Sequence, residues 1–345
     1  MSEKKATILI DAYSQIFRVF YAIAHLSRGD GFPTNALFGF ARLLMQIEKN
    51  YSPESGAMFF DCGKPAFRLE LSSSYKSNRP PMPEALKQQM PLLRTLAGLF
   101  GWQTLECENY EADDLIGAAV KNDAQSQFAI ISSDKDLSQL IDDHACMLIP
   151  GKSGGFEVRD EEAAIKKFAV TPSQIIDYLA MLGDSSDAVD GVPGIGPKTA
   201  SAILHECNSL ENFFADPEML ANGKQRSKLL ENEELLKRNI KLITLRTQWP
   251  EKLGDLQKAL EKRAPDWQKI AEFAAEYELK SILKELPVTA AETEEKLSGQ
   301  AVCPVEEKVE MDDLFSWGTR QSENVSAVEN KEQSREDKPV QGVLF

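Results

Sequence analysis

Nine carboxylates stand in short groups along this chain, at spacings that suit the binding of metal ions. The densest group is the stretch YEADD, in which Glu111, Asp113 and Asp114 fall within four residues. Acidic side chains also stabilise a helix N-terminus, because the helix dipole is positive there, so simple capping is the alternative interpretation. Capping does not account for the carboxylates that end other predicted elements, namely Asp11, Asp61, Asp134, Asp136, Asp184 and Asp187.

Carboxylates that meet in one pocket need a cation. Two like charges about 4 Å apart repel by about 4 kcal/mol at an effective dielectric of about 20, so such pairs persist only when protons or metal ions neutralise them. Hard oxygen ligands without histidine or cysteine favour Mg²⁺, with Mn²⁺ as a substitute, over zinc. A set larger than one ion needs predicts two or more ions, which would stabilise the attacking and leaving oxygens of a phosphoryl displacement. The predicted chemistry is phosphodiester hydrolysis.

Basic groups must surround such a pocket if a polyanion is to approach it. Lys76 and Arg79 are spaced i, i+3 and would share a face if their stretch is helical. We predict that both grip the scissile phosphate and stabilise its transition-state charge, with Arg18 as a further candidate. The alternative for each of them is an ordinary solvated surface charge.

Other chemistries find little support in the composition. The three histidines, His25, His144 and His205, stand apart from the acidic groups, which disfavours histidine-based nucleophilic catalysis. Five scattered cysteines without a C-x-x-C pair suit a reducing cytoplasm rather than a disulfide scaffold or a zinc site. No stretch is long enough to span a membrane, and the apolar run at residues 6–10 is too short for a signal peptide.

Predicted strands and helices place the carboxylates together. Short apolar runs at residues 6–10, 56–60 and 128–131 read as buried strands, and each is followed directly or closely by aspartate. Helical patterns alternate with these strands, which predicts an α/β domain with a mostly parallel twisted sheet flanked by helices. Ligands bind beyond the carboxyl ends of the strands in such sheets, and several of the aspartates fall there.

A helical region is predicted from Thr171, which is a plausible N-cap before Pro172. The glycine-rich stretch GVPGIGPKTA at residues 191–200 leads into another helix, and exposed backbone N–H groups at such a turn bind phosphate well. Further amphipathic helices at 229–245 and 267–286 are expected to pack on this region. The predicted DNA contacts of the turn, which read backbone rather than bases, are Gly194, Gly196, Lys198 and Thr199.

The charge of the chain is unevenly distributed. A formal net charge of −15 argues against a nucleic-acid partner when taken alone. From residue 290 onward, however, 13 acidic and 6 basic residues contribute −7 of it. Residues 288–345 are rich in Glu, Lys, Ser and Gln, so we predict a disordered tail. Without the nine carboxylates the remainder would be near neutral, which leaves room for a basic DNA-binding surface.

Seven motifs make the chain similar to a known family: ILIDAYSQIFR, FFDCGKPAFR, SSYKSNRP, YEADDLIG, ISSDKDLSQL, LAMLGDSSD and GVPGIGPKTA. In order and spacing they resemble the 5′→3′ exonuclease, or flap endonuclease, domain of bacterial DNA polymerase I over roughly residues 6–286. The resemblance implies a PIN-like 5′ nuclease fold in which the nine carboxylates bind two metal ions. It also implies a helix–two-turn–helix motif at GVPGIGPKTA that binds duplex phosphates, with K⁺ as a further ion. A basic arch at about residues 67–95 would thread a 5′ single strand, with DNA contacts from Arg68, Tyr75, Lys76 and Arg79.

Two motifs depart from the family pattern. GDSSD is followed by Ala188-Val189-Asp190-Gly191, where the family has Asn-Ile/Val-Pro-Gly, so the loop holding the second metal is expected to have a different shape. The first motif reads Asp-Ala rather than Asp-Gly. No proofreading or polymerase motif follows, so the resemblance implies a stand-alone member. Its expected parts are a nuclease domain (1–170), a helical DNA-binding region (171–287) and the tail (288–345).

The C-terminal peptide QGVLF resembles the peptide by which bacterial replication proteins dock on the sliding clamp. Gln341, Leu344 and Phe345 would be its anchors, and the tail would act as a tether that raises the local concentration of nuclease. Residues 311–317 are a candidate second contact. The alternative is an inert tail that ends in a hydrophobic stub.

The prediction is thus a monomeric, cytoplasmic, Mg²⁺-dependent 5′ nuclease that acts on DNA with 5′ flaps or 5′ ends, RNA primers included, without a membrane partner. One alternative is a non-catalytic adaptor that binds DNA structures and the clamp. Another is a ribonuclease of the smaller α/β nuclease type, which is much shorter and lacks the GVPGIGPKTA region. Cleavage of a flap substrate with and without metal separates these alternatives.

Overall fold

A computed structural model describes residues 6–23, 25–151 and 155–287 of the chain. Its centre is a six-stranded sheet in the order β3-β2-β1-β4-β5-β6, in which only β6 runs antiparallel to its neighbour. The prediction of a mostly parallel sheet is therefore confirmed. The strands are β1 (Thr7–Asp11), β2 (Gly56–Phe59), β3 (Gln103–Leu105), β4 (Phe128–Ile131), β5 (Ala145–Pro150) and β6 (Phe156–Arg159).

The three central strands are buried along their whole length, because helices cover both faces of the sheet. Successive side chains of β1 point to opposite faces: Ile8 and Ile10 enter one core, and Leu9 enters the other. The first of these cores lies against α1, α2 and α4, and the second against α5. The helices of this part are α1 (Ala12–Ala22), α2 (Asn35–Tyr51), α3 (Ala66–Leu71), α4 (Glu84–Leu99), α5 (Ala112–Asn122) and α6 (Glu161–Phe168).

The register of the central strands decides where their following residues go. Asp11 pairs with Phe59 of β2, and Ile10 pairs with Ile131 of β4. The three parallel strands therefore end at the same edge, and the segments that follow them begin side by side.

A second group of helices follows. Their core joins α7, α8, α9, α10 and α11, and a two-stranded antiparallel ribbon of β7 and β8 follows α7. Short 3₁₀ turns span Asp136–Leu140, Pro172–Gln174, Ser185–Asp187, Pro217–Met219 and Glu251–Leu253. The remaining elements are α7 (Ile175–Leu182), β7 (Gly183–Asp184), β8 (Val189–Asp190), α8 (Pro197–Cys207), α9 (Leu210–Ala215), α10 (Gly223–Glu231), α11 (Glu233–Ile243), α12 (Leu256–Ala259), α13 (Trp267–Glu276) and α14 (Lys280–Glu285).

Helices α13 and α14 correct one prediction. Residues 267–286 are predicted to pack on the helical region, but Ile270, Phe273 and Ile282 lie in the core of the sheet face that α2 and α4 cover. The chain therefore returns to the α/β part after leaving it. An amphipathic pattern identifies the face that a helix buries, but not the surface against which that face packs.

A second correction concerns the prediction that Lys76 and Arg79 share a helix face. Residues 72–83, between α3 and α4, form turns and irregular backbone, and Lys76 has a left-handed φ of +53°. The two side chains therefore do not share a helix face. Three prolines at 80, 81 and 83 disfavour a helix at the end of this segment, since proline disfavours helical backbone in the residue before it.

The sequence signals that predict the two ends of the helical segment containing α7 are confirmed. Thr171 and Gln174 form a capping box at the predicted N-terminus, and Gly183 ends α7 with a φ of +70°. In the described residues no helix is long and apolar enough to cross a membrane. The predicted tail at 288–345, with Gln341, Leu344, Phe345 and the contact at 311–317, lies outside the described residues.

Candidate active site

Two aspartates at the sheet edge are held by the elements that follow their strands. Asp11 ends β1 and caps α1, accepting hydrogen bonds from Ser14 N at 3.1 Å and from Ser132 Oγ at 2.8 Å. Asp61 follows β2 and accepts a hydrogen bond from Ala112 N, in the first turn of α5, at 2.8 Å. Both carboxylates are thus fixed by backbone and hydroxyl donors.

Three further aspartates lie near these two or near each other. Asp113 lies in the first turn of α5. Asp134 follows β4 and accepts a hydrogen bond from Asp136 N at 2.9 Å, so a short turn orders these two residues. Asp113, Asp134 and Asp136 lie close enough to other members of the group to repel them electrostatically. We call these five residues the carboxylate cluster: Asp11, Asp61, Asp113, Asp134 and Asp136.

Burial and mutual repulsion disfavour the charged forms of four members of the cluster: Asp11, Asp113, Asp134 and Asp136. Burial raises the pKa of Asp11 to about 7, and the nearby charge of Asp61 adds to the effect. Burial and the charge of Asp134 raise the pKa of Asp136 to about 8. The pKa of Asp113 lies well above its ordinary value, chiefly through burial and then through Asp134, while burial also raises the pKa of Asp134. The site therefore attracts a positive charge.

Two buried carboxylate oxygens of the cluster remain to be satisfied. Within the described residues no donor reaches Asp113 Oδ1 or Asp136 Oδ1. A buried oxygen without a donor is costly, and a cation ligated by oxygen resolves both this cost and the repulsion. The donor set, which is all carboxylate, fits a hard divalent ion.

The nine predicted carboxylates do not share one environment, and their common role as metal ligands stays a prediction. In the described part of the chain, no three acidic, histidine or cysteine side chains surround a single point as metal ligands. Four of the nine are instead engaged by basic side chains, because ion pairing neutralises them in the same way that a metal ion would. These four are Glu111, Asp114, Asp184 and Asp187.

Asp114 belongs to the interior. Its oxygens accept hydrogen bonds from the Arg68 guanidinium at 2.7 and 2.8 Å, and the two side chains are 0% and 2% exposed. Asp114 also accepts from Glu111 N at 3.2 Å in a capping box, so helix capping, the alternative considered above, accounts for this residue. Its predicted role as a metal ligand does not fit this orientation.

Arg68 and Tyr75 are likewise placed differently from their prediction as DNA contacts. Arg68 Nε donates to Leu242 O at 3.0 Å and thereby ties α3 to α11. Tyr75 is 5% exposed and donates its hydroxyl hydrogen to Glu111 Oε2 at 2.9 Å. Both side chains can be buried because carboxylates at the start of α5 accept their hydrogen bonds. Neither side chain therefore presents a surface to a polyanion.

Lys76 and Arg79 reach the carboxylates directly. Lys76 Nζ lies 2.7 Å from Glu111 Oε1, and an Arg79 nitrogen lies 2.7 Å from Asp187 Oδ1. The Lys76 N–H also donates to the Asp187 carbonyl at 2.9 Å. Burial alone would lower the pKa of Lys76, but the charges of Glu111 and Asp61 outweigh it and raise the pKa. Lys76 is therefore a permanent cation beside the cluster.

Two lysines that the sequence analysis did not single out complete this arrangement. Lys135 donates to Asp184 Oδ2 at 2.6 Å and, with backbone donors, lowers the pKa of Asp184 although burial would raise it. Lys64 Nζ donates to the carbonyls of Tyr75 and Lys76 at 3.1 and 3.0 Å, which closes the loop that presents Lys76. Their nearness in sequence to carboxylates was a signal, but it did not reveal their partners.

The other predicted residues lie on α1 and at or just before the start of α8. Arg18 lies on α1, half-buried, and burial lowers its pKa to about 10. Gly196 is the N-cap of α8, and its carbonyl accepts from Thr199 N at 3.0 Å. Lys198 is exposed in the first turn of that helix, and Gly194 has a φ of +73°. The roles of these residues in binding a phosphate stay predictions.

Two family models match consecutive parts of the chain. The 5′-3′ exonuclease N-terminal resolvase-like domain matches residues 6–169, and the 5′-3′ exonuclease C-terminal SAM fold matches residues 170–268. Together they span both the sheet with its carboxylate edge and most of the helical part.

The relatives that match this chain include a protein of similar length and a much longer polymerase. A 5′-3′ exonuclease of Aquifex aeolicus is 37% identical over 284 residues, which cover 82% of this chain and 95% of that protein. DNA polymerase I of Bacillus subtilis is 36% identical over 253 residues, which cover 72% of this chain but only 29% of the polymerase.

Solved structures share the fold. A complex of the bacteriophage T5 flap endonuclease with DNA and metal ions aligns over 81% of this chain and 96% of its own, with a TM-score of 0.56 and 22% identity. The catalytic core of Rad2 in complex with DNA substrate aligns over 82% of this chain and 93% of its own, with a TM-score of 0.54 and 17% identity.

Proposed function

This chain belongs to the 5′-3′ exonuclease family, and from that premise we propose that it is a structure-specific 5′ nuclease that hydrolyses DNA at 5′ flaps and 5′ ends. Its place would be replication or repair, since a relative named DNA polymerase I matches the chain. RNA primers are a proposed substrate as well. The chain spans less than a third of the polymerase relative, so the polymerase activity of that relative is not carried over.

The observation that carries the proposal is the carboxylate cluster at the sheet edge. Its raised pKa values and its two buried oxygens favour a positive charge in this pocket. We propose that Asp11, Asp61, Asp113, Asp134 and Asp136 hold divalent ions, Mg²⁺ in the cell with Mn²⁺ as a substitute. Such ions, when bound, activate a water and stabilise the departing oxygen in phosphodiester hydrolysis.

Basic residues of the chain would position the substrate. Lys76 and Arg79 lie on the irregular segment between α3 and α4, against Glu111 and Asp187. We propose that the scissile phosphate competes with these two carboxylates for the ammonium and guanidinium groups, which then hold the phosphate over the cluster. Arg79 is 46% exposed, so it can exchange partners without disturbing the core.

DNA as the substrate is supported by the fold. The T5 enzyme and Rad2 were solved with DNA, and the T5 complex also contains metal ions. The exposed turn at residues 191–200, which lies outside the carboxylate edge, would contact duplex phosphates. A sliding clamp that binds Gln341, Leu344 and Phe345 stays a proposal, as does the monomeric state.

The test is cleavage of an end-labelled 5′-flap duplex in Mg²⁺, in Mn²⁺ and in EDTA. We expect cleavage with either ion and none in EDTA. Asp136→Asn should abolish cleavage while flap binding in EDTA persists. Asp30→Asn, which removes an exposed carboxylate paired with Arg28, is the matched control and should cleave normally.

Binding without cleavage under both ions would favour the non-catalytic adaptor instead. Deletion of residues 341–345 should leave cleavage of naked flaps unchanged and remove co-elution with the clamp. Unchanged co-elution after the deletion would dispose of the clamp proposal alone.

A further inference from the structure

The glycine-rich turn at residues 191–196 already contains a cation of its own. Lys228, on α10, donates from Nζ to the carbonyl of Pro193 at 3.0 Å. The resemblance stated above implies a K⁺ ion at this motif, which would need the carbonyl oxygens of the turn as ligands. The carbonyl of Pro193 instead faces an ammonium group supplied by the protein.

Gly194 lies directly beside this ammonium. A Cβ built on Gly194 would collide with Lys228 Nζ, so the ammonium occupies the space beside the peptide that any other residue would fill. The φ of +73° at Gly194 is itself one that favours glycine. A glycine at position 194 thus allows both this backbone conformation and the close approach of the Lys228 ammonium.

A second cation on the same oxygen would be unfavourable. Two cations that share one carbonyl oxygen lie within about 6 Å of each other, where they repel by about 3 kcal/mol at an effective dielectric of about 20. K⁺ and the Lys228 ammonium are therefore alternatives at Pro193. The ammonium has the advantage of being tethered, because the chain brings it there without a loss of translational entropy.

The helix that presents Lys228 is anchored on both sides. Asn222 caps its N-terminus, and the carbonyl of Lys228 accepts a hydrogen bond from Asn232 Nδ2 at 2.8 Å. Leu229, the next residue, is fully buried in the same core as Val192 and Ile195 of the turn. Core packing thus fixes the backbone of Lys228 relative to the turn.

We propose that Lys228 is the built-in monovalent cation of this turn and a duplex-phosphate contact, so that the turn binds DNA without K⁺. An ammonium has three N–H donors, and Pro193 takes one of them, which leaves donors for a phosphate oxygen. The exposed Lys198, in the first turn of α8, adds a second positive charge close by in the chain. This inference rests on the proposed function in so far as the ligand is DNA.

The test compares cations at equal ionic strength. Binding of a blunt duplex to the full chain in EDTA is measured in KCl and in tetramethylammonium chloride, whose cation is too large for a carbonyl site. Wild type should bind equally in both salts. Lys228→Met keeps the stem of the side chain and should weaken binding by about tenfold in tetramethylammonium chloride, the loss expected for a charge-assisted hydrogen bond. Binding by this variant should recover in part in KCl, because K⁺ can then reach the Pro193 carbonyl.

Lys224→Met is the matched control, since Lys224 is an exposed lysine one turn earlier on the same helix. It removes the same charge and should lose less affinity than Lys228→Met, equally in both salts. Clearly tighter binding of wild type in KCl than in tetramethylammonium chloride would overturn the proposal, as would equal losses in the two variants.

A readout without DNA separates this inference from the proposed function. The melting temperature of wild type should be the same in both salts, whereas that of Lys228→Met should be higher in KCl. If no duplex binds at all, the proposed function fails at this surface, yet the melting comparison still decides whether Lys228 replaces K⁺. A wild-type melting temperature that rises in KCl alone would contradict the replacement.

Discussion

At the scale of single residues, burial separates two kinds of ion pair that look alike in sequence. Arg68 and Asp114 are 2% and 0% exposed, and removal of Arg68 leaves Asp114 as a buried, uncompensated charge. Arg79 is 46% exposed and pairs with Asp187 at the rim. We infer that the first pair holds the fold together and that the second is free to exchange partners.

Substitution distinguishes these roles. Arg68→Met should lower the free energy of unfolding by about 3–5 kcal/mol, because Asp114 remains buried without its partner. Arg79→Met should change it by less than about 1 kcal/mol, as expected for an exposed pair, while flap cleavage falls strongly. Urea denaturation and kcat/KM measure the two effects. Lys87→Met, which breaks an exposed pair with Glu84, is the control for both. Equal stability losses in the Arg68 and Arg79 variants would refute the distinction.

The carboxylate cluster also predicts how stability depends on pH. The pKa of Asp136 is about 8 in the folded protein and 3.8 as an isolated group, so between these values the folded state binds more protons than the unfolded state. Stability in EDTA should therefore fall as pH rises through this window. Asp136→Asn should be increasingly more stable than wild type between pH 5 and pH 9, and Mg²⁺ should reduce the difference.

Asp30→Asn serves as the control for that measurement. Hydrogen bonds from Arg28 and from Phe32 N lower the pKa of Asp30 to about 2, so its contribution is lost only when pH falls below its ordinary value. Its effect on stability should stay constant over the same range of pH. A constant difference for Asp136→Asn as well would mean that this carboxyl is not desolvated in the way described.

At the scale of elements, the ribbon of β7 and β8 contains a residue in an unfavourable conformation. Ala188 has a φ of +55°, a left-handed conformation that Asn adopts more readily than Ala. The family carries Asn at this point of the motif, according to the resemblance described above. The turn thus keeps the left-handed backbone although Ala replaces the residue that favours it.

Replacing Ala188 should therefore relieve strain. We expect Ala188→Asn to raise the free energy of unfolding by about 0.5–1 kcal/mol, read as a higher melting temperature. Ala169, which ends α6 with a φ of +56°, offers a matched control far along the chain from the ribbon. Ala169→Asn should stabilise similarly. If the ribbon shapes a metal site, only the change at Ala188 should alter the Mg²⁺ concentration for half-maximal cleavage.

At the scale of the whole molecule, the last two helices join the first part of the chain. The family models end at residue 268, but α13 and α14 extend to Glu285 and cover the sheet face with α2 and α4. The described residues thus share cores that cross the boundary predicted at 170. Ile270 and Ile282 are fully buried in one of them.

Truncation tests this arrangement. A chain that ends at residue 268 should lose cooperative unfolding or melt far below wild type, because removal of α13 and α14 exposes apolar surface of the sheet core. A chain that ends at residue 287 should melt like wild type. Circular dichroism on heating measures both. Equal melting of the two truncated chains would show that the sheet core does not need these helices.

The sequence by itself determined the sheet and the edge at which chemistry would occur. Buried strands, caps and glycine turns are read from neighbouring residues, and parallel strands bring the residues after them to one edge. Asp11, Asp61 and Asp134 could be placed together for that reason. Their motifs also indicated the family.

Only the tertiary structure decided which charge meets which. Arg68 and Asp114 are 46 residues apart, and nothing local distinguishes Arg68 from Arg79 as the buried partner. In the same way Lys64, Lys135 and Lys228 acquired their roles through distant carbonyls and carboxylates. Ion pairing depends on burial and on distances of a few ångström, which arise only when the elements pack, so the division between structural and exchangeable cations could not be predicted from the sequence.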